Sequence, residues 1–374
     1  MHFFFAEKMT VKKTPLVLSI WFLVGVIFSG CGFMFGGAPP NARTYPYNQV
    51  SPVRANHQAG KQVDPAQDLY DEIFGILKRP HALTRMPGEC WNHQFTDKYL
   101  NSMEFEGFEG KPCQKLKLEW GSQFIREYTC SSSNNRIIMR IYANFQEAKV
   151  DRAYMQALNS RGLAPKLVIP REEFLICSDH ISAYQLDGGR RRVSEISFES
   201  NGLETMRIKA AIKSLKELHS FKILHRSISP PSIILVPQKD KTYKVEFVNF
   251  HSAVRLDEDQ ILILNSGDPY SLYKTKFETS HGISTKVDDM MRLVRSFADI
   301  YCQQELEDNY IFDSSLLELD SIPEEKRPVA GLLFNLFTEN YRWLYDGNTE
   351  PKYDLDSDGD NIQRNNSKDL SPVE

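Results

Sequence analysis

Two short polar stretches near the middle of the chain hold its most chemically suggestive side chains. Ser227, Ser229 and Ser232 lie within the run Ile223–Val236, and Asn249 comes thirteen residues after that run ends. A serine hydroxyl has too high a pKa to act as a general base at neutral pH. A neutral amide binds a hard dication far less well than a carboxylate does. These residue types predict a polar frame with little catalytic or metal-binding power.

A second candidate site lies near the C-terminus, where carboxylates alternate with other residues around a glycine. The four carboxylates are Asp354, Asp356, Asp358 and Asp360. This spacing is typical of the start of an EF-hand calcium loop. The pattern then fails, because Asn365 stands where the loop needs a bidentate glutamate. We therefore predict an acidic disordered tail over residues 347–374, with weak calcium binding by the four aspartates as the alternative.

Hydrophobic spacing predicts the elements that position the serines and the asparagine. Alternating and β-branched runs favour strands, and apolar residues three and four apart favour helices. The predicted strands cover residues 116–120, 137–142, 174–177 and 183–186, and the predicted helices cover 68–78, 145–159, 208–218, 287–301 and a stretch from Pro328 to Phe337. A sheet-rich first part and a helix-rich second part predict an α+β protein with two lobes.

The order of these pieces resembles that of protein kinases over roughly residues 115–345. A helix precedes His225-Arg226, and an Ile-Ile-Leu strand and a Val-Glu-Phe-Val strand lead into Asn249-Phe250-His251. The resemblance places Ser227 at the catalytic Asp, Ser229 at a phosphate-contacting Lys and Ser232 at a magnesium-binding Asn. It places Asn249 at the metal-binding Asp, and His251 at a Gly whose backbone freedom a side chain restricts.

The resemblance extends to the first lobe. It places Arg140 at the phosphate-binding Lys of the Val-Ala-Ile-Lys strand, and Asp151 at the acidic helix partner of that Lys. Arginine keeps the charge but is longer and planar. Gly121 is the sole glycine between Leu116 and Met139, so the phosphate-covering loop is barely present. The resemblance thus implies a vestigial nucleotide site at Arg140, Asp151 and Asn249, in which ATP and magnesium are disfavoured.

Two further positions match kinase residues that support the fold. Arg226 keeps the His-Arg pair that supports the catalytic loop. Asp288 or Asp289 matches the helix-start Asp that ties this loop to the second lobe, and the sequence leaves the choice between them open. These matches imply that the scaffold is kept.

Composition and the N-terminus bear on partners and compartment. The net charge of −4 is accounted for by the acidic tail, so nothing indicates nucleic-acid binding. Three lysines precede an apolar run from Thr14 to Phe35, which predicts a signal peptide or signal anchor over residues 1–38. Cleavage and a single-pass membrane anchor both remain open. Either outcome predicts the secretory pathway, with the domain on the non-cytoplasmic side, and disulfides among Cys90, Cys113 and Cys130 fit that environment.

The complete prediction is a two-lobed protein kinase-like fold with a small β-rich N-lobe and a larger helical C-lobe. A disordered linker covers residues 39–66, and the kinase-like domain covers 67–346. We expect a catalytically impaired pseudokinase that acts by binding a protein partner. One alternative is an active atypical kinase in which carboxylates such as Glu246 or Asp268 replace the missing ones. The other is a non-catalytic nucleotide-binding protein.

Overall fold

The computed structural model describes residues 64–78, 116–121, 125–131, 136–168, 179–256, 262–263, 282–302 and 322–353. The predicted signal segment, Asp354, Asp356, Asp358 and Asp360, and the predicted strand at 174–177 lie outside these ranges. The helices are α1 (Pro65–Lys78), α2 (Phe145–Asn159), α3 (Asn201–Ser220), α4 (Lys286–Cys302) and α5 (Arg327–Tyr345). The strands are β1 (Leu116–Gly121), β2 (Ile125–Ser131), β3 (Arg136–Tyr142), β4 (Ile181–Leu186), β5 (Arg191–Arg192), β6 (Ile223–Leu224), β7 (Ile233–Pro237), β8 (Tyr243–Phe247), β9 (Val254–Arg255), β10 (Leu262–Ile263) and β11 (Ile283–Ser284).

The first lobe is a four-stranded antiparallel sheet in the order β1-β2-β3-β4, with α2 connecting β3 toward β4. Its register places Glu127 opposite Arg140 and Ile138 opposite Tyr184. Directly opposed residues share one face of a sheet, so these side chains lie on neighbouring strands of the same surface. Asn144 caps α2, because its side-chain oxygen accepts a hydrogen bond from the Gln146 backbone N–H.

The second lobe is built on three long helices and short strand pairs. Ser200 caps α3, and β7 pairs with both β5 and β8 in a three-stranded antiparallel sheet. Strand β6 pairs with β9, which brings the two polar stretches of the sequence together. Helix α4 packs against α5. The predicted α+β architecture of a β-rich first lobe and a helical second lobe is therefore confirmed.

One hydrophobic core passes through both lobes. It includes Ile138 and Tyr184 from the first sheet, side chains of α1 and α2, and the inner faces of α3, α4, α5, β7 and β8. Burial of apolar surface is the main favourable contribution to folding, so this shared core holds the lobes against each other. No helix in the described part of the chain is both long and apolar enough to cross a membrane.

Two predicted boundaries need correction. The linker was expected to run to residue 66, but α1 already begins at Pro65, where the Asp64 carboxylate accepts a hydrogen bond from the Ala66 N–H. The acidic tail was expected to begin at residue 347. Instead, the segment through Tyr353 packs on the second lobe, where Lys352 donates its N–H to the Asn340 side chain at 2.9 Å. Local capping and packing, neither visible in composition, explain both errors.

Strand β2 was absent from the predicted elements. Its residues Arg126, Glu127 and Thr129 are polar, yet all three are buried. Period-two alternation is recognisable only where one face of a strand is apolar. Glu127 is buried together with two ion-pair partners from other strands, Arg140 and Arg192. Cys130 on the same strand is disulfide-bonded, whereas Cys302 is a free thiol.

Candidate functional site

The loop that carries His225 and Arg226 is held by one buried carboxylate. Asp289 accepts hydrogen bonds from the His225 N–H at 2.6 Å and from the Arg226 N–H at 2.8 Å. Asp288 instead accepts from the Thr285 N–H and hydroxyl at the start of α4. The helix-start Asp that ties the loop to the second lobe is therefore Asp289. Arg226 has a φ of 63°, a left-handed conformation that a firmly held loop can impose.

Asp289 is also the centre of a wider polar chain. The His219 Nε2 lies 3.3 Å from the Asp289 carboxylate, and the His219 Nδ1 lies 2.6 Å from the Tyr353 hydroxyl. Burial alone would raise the pKa of Asp289. The hydrogen bond and charge of His219, together with Arg292, outweigh burial and lower the pKa of Asp289 to about 2. The carboxylate is thus ionised while it holds the loop.

Two consecutive hydrogen bonds connect Ser227, Asn249 and His251. The Asn249 Nδ2 donates to the Ser227 Oγ at 3.0 Å, and the His251 Nδ1 lies 2.8 Å from the Asn249 Oδ1. Asn249 has a φ of 76°, so the left-handed residue of this turn is Asn249 and not His251. Asparagine tolerates that conformation better than most residues. The turn therefore forms with a histidine at its third position.

Both histidines of the site are deeply buried and neutral at physiological pH. Burial lowers the pKa of His225 to about 4 and that of His251 to about 3. The His225 ring stands between Phe247 and Phe250, with centroids 5.8 and 4.6 Å away. A proton on either ring would place a charge inside packed aromatic surroundings, so the folded state favours the neutral form.

Ser229 and Ser232 close a local turn. The Ser232 hydroxyl accepts from the Ser229 N–H and donates to the Ser229 carbonyl, both at 2.7 Å. Both residues are buried. The Ser232 side chain thus satisfies backbone groups of its own loop, which explains why a serine suits this position structurally.

Asp151 does not pair with Arg140, which corrects the prediction of a helix partner for that arginine. One Asp151 oxygen accepts from the Phe250 backbone N–H at 2.6 Å, and the other accepts from the Tyr142 hydroxyl at 2.8 Å. The Tyr154 ring, one turn further along α2, stacks on Phe250 at 6.1 Å. Helix α2 therefore holds the turn at Phe250 through both a carboxylate and an aromatic ring.

Arg140 is instead bound by a carboxylate that sequence reasoning missed. Its Nε donates to Glu127 at 2.8 Å, and the second oxygen of Glu127 is bound by Arg192. The exposed fractions of Arg140, Glu127 and Arg192 are 4%, 5% and 6%. Burial would raise the pKa of Glu127, but the charges of Arg140 and Arg192 lower it below its usual range. We call this buried Arg140–Glu127–Arg192 group the arginine–glutamate cluster.

The cluster continues away from the sheet. Arg192 also binds Glu195 at 2.6 Å, and Glu195 in turn is bound by Arg136. A run of three arginines such as Arg190-Arg191-Arg192 is typical of an exposed turn, yet Arg192 is buried. The cross-strand register of Glu127 with Arg140 would have revealed the pair, had β2 been recognised.

Glu246, one of the carboxylates named above as a replacement, lies on β8 and binds Arg190 at 3.4 Å.

Several polar groups of the site are bound to one another. Arg140 donates to Glu127, Asp151 accepts from Phe250 and Tyr142, and Asn249 donates to Ser227. The Nη1 atom of Arg140 is buried without a hydrogen-bond partner. Within the described ranges, no group of three or more His, Cys, Asp or Glu side chains is arranged to hold a metal ion.

Comparison with known proteins finds similarity to a solved structure only. No protein-family model matches the chain, and no curated protein sequence matches it. Among solved structures, the chain is similar to the crystal structure of the BubR1 kinase domain, with a TM-score of 0.42 and 12% sequence identity over 66% of this chain and 77% of that chain. The chain itself has an α+β fold, with an N-terminal β-sheet and a helical C-terminal portion.

Proposed function

We propose that this protein is a pseudokinase that acts by binding a protein partner and not by transferring phosphate. The observation that carries the proposal is the pairing of Arg140 with Glu127 at 2.8 Å inside the first lobe. Phosphoryl transfer depends on positioned positive charge that is available to the phosphates. Glu127 holds Arg140 from the neighbouring strand of the sheet, whereas kinases hold this position with an acidic residue of the helix.

The second lobe supports the same proposal. The Asn249 amide donates a hydrogen bond to the Ser227 hydroxyl. Neither residue carries a negative charge that would attract a dication. Asp151 lies close to the turn, but its two oxygens already accept from Phe250 and Tyr142. Magnesium bound there would have to share a carboxylate that already accepts two buried hydrogen bonds.

We further propose that the domain works in the secretory pathway, either secreted or held by an N-terminal anchor. The disulfide at Cys130 supports this part of the proposal, because disulfides form and persist mainly in oxidising compartments. Mass spectrometry of the mature protein under non-reducing conditions tests it: a retained disulfide is expected, and five free thiols downstream of the apolar segment would contradict it.

The catalytic part of the proposal is tested by incubating the purified protein with γ-labelled ATP, magnesium and a general acceptor protein. We expect no phosphate transfer above that of the Arg140→Ala variant. Transfer that requires magnesium and disappears in Arg140→Ala would overturn the proposal in favour of an active atypical kinase. The Glu246→Gln variant serves as a second arm, because loss of such transfer there would identify Glu246 as a replacement carboxylate.

A further inference from the structure

Helix α1 lies outside the stretch that resembles kinases, yet it contacts the candidate site through two separate routes. Its buried residues Leu69 and Ile73 belong to the same core as Val150, Tyr154 and Leu158 of α2. Their spacing of four puts them on one face of α1. Helices α1 and α2 pack against each other.

The first route runs through α2 to the turn at Phe250. Helix α2 presents Asp151 to the Phe250 N–H at 2.6 Å and stacks Tyr154 on the Phe250 ring at 6.1 Å. A shift of α2 would therefore break a buried hydrogen bond and an aromatic contact at the turn. Helix α1 packs against α2 and therefore opposes that shift.

The second route is direct. Arg255 lies on β9, six residues beyond Asn249, and its guanidinium stacks over the Tyr70 ring at 4.2 Å. The same guanidinium donates to the Gln67 side-chain oxygen at 3.0 Å. Cation–π contact and a hydrogen bond together fix both the position and the plane of an arginine. The end of the Asn249–Arg255 segment is thus attached to α1.

From these two routes we propose that α1 is a built-in strap that sets the position of the Asn249–Arg255 segment. The strap is held on its outer side by an ion pair between Glu72 and Arg161 at 3.1 Å. A displacement of the residues that precede Pro65 would be transmitted through α1 to the Asn249–Arg255 segment. The proposal concerns the position of the turn and does not depend on whether the domain binds nucleotide.

Hydrogen exchange of the full chain, followed by mass spectrometry, tests the strap. The Ile73→Asp variant places a charge in the α1–α2 contact and should loosen α1. We expect exchange in residues 245–256 to rise about tenfold while α5, which packs on α3 and α4, keeps its protection. Gly75→Asp is the matched control. It adds the same side chain to the same helix, but a Cβ at Gly75 meets nothing within 4 Å.

Two results would overturn the strap. One is faster exchange in α1 alone, with residues 245–256 unchanged, which would make α1 a passive covering. The other is an equal rise throughout the domain, which would reduce the effect to general loss of core packing.

Arg255→Ala tests the direct route separately with a change that leaves the core intact. We expect faster exchange at residues 252–256 and unchanged exchange in α2. No change at residues 252–256 would remove the direct route from the proposal.

Discussion

The Asn249 side-chain amide donates a hydrogen bond to the Ser227 hydroxyl at 3.0 Å, joining the two polar stretches that stand out in the sequence. The loop of Ser227 and the turn of Asn249 lie beside each other because β6 pairs with β9. Neither residue carries a charge. The contact is therefore an uncharged hydrogen bond that connects the loop to the turn. Its contribution can be measured as a change in the free energy of unfolding.

Asn249→Ala should lower the free energy of unfolding by about 2 kcal/mol, measured by urea denaturation. The change removes the hydrogen bonds to Ser227 and His251, and it forces an alanine into a φ of 76°. Asn249→Gly is the matched control, because glycine accepts this φ without strain. It should recover part of the loss, and equal stability of the two variants would show that the backbone strain is negligible.

Glu127→Gln should cost about 3–5 kcal/mol of unfolding free energy, since it leaves the buried Arg140 without a compensating charge while Arg192 keeps Glu195. Combining it with Arg140→Met should restore part of the loss, because the uncompensated charge is then gone. Thermal denaturation of both single variants and the double variant measures the coupling. Additive losses would mean that the arginine–glutamate cluster does not act as a unit.

Truncation tests the corrected C-terminal boundary. A chain ending at Tyr353 should melt at the same temperature as the full chain, whereas a chain ending at Asp346 should be clearly less stable. The difference arises because the shorter chain loses the Tyr353–His219 hydrogen bond and the Lys352–Asn340 contact. Tyr353→Phe isolates the first of these and should cost about 1 kcal/mol. Identical melting of both truncations would restore the boundary at residue 346.

The buried histidines predict that the domain loses stability in mild acid. The pKa values of His225 and His251 in the folded state, about 4 and about 3, lie below the ordinary value of 6.5. Between these limits the unfolded chain binds protons that the folded chain does not. The free energy of unfolding therefore falls as pH drops below about 6.5, by up to about 1.4 kcal/mol per pH unit for each histidine.

Urea denaturation between pH 7 and pH 4.5 measures this slope, with His251→Asn as the comparison. The variant should show a shallower slope than the wild type. Glu246 acts in the opposite direction, because burial raises its pKa and the folded state then holds its proton more tightly. Its contribution is common to both proteins and drops out of the difference. Equal slopes would contradict the histidine assignment.

The sequence predicted the scaffold better than the contacts within it. Residues 287–301 were expected to form a helix because their apolar spacing is local, and α4 is observed there. Strand β2 was missed and Arg140 was given the wrong partner for one shared reason. The burial of Glu127 depends on Arg140 and Arg192, which are distant in sequence, so no local pattern signals it. The choice between Asp288 and Asp289 likewise needed the position of the loop.

We expect that Arg140, which Glu127 holds within the first sheet, does not bind a nucleotide. Thermal shift of the full chain with millimolar ATP, with and without magnesium, tests it most directly, because a ligand that binds the folded state raises the melting temperature. We predict no shift under either condition. A rise that is lost in Arg140→Ala would contradict this expectation, whether or not the rise requires magnesium.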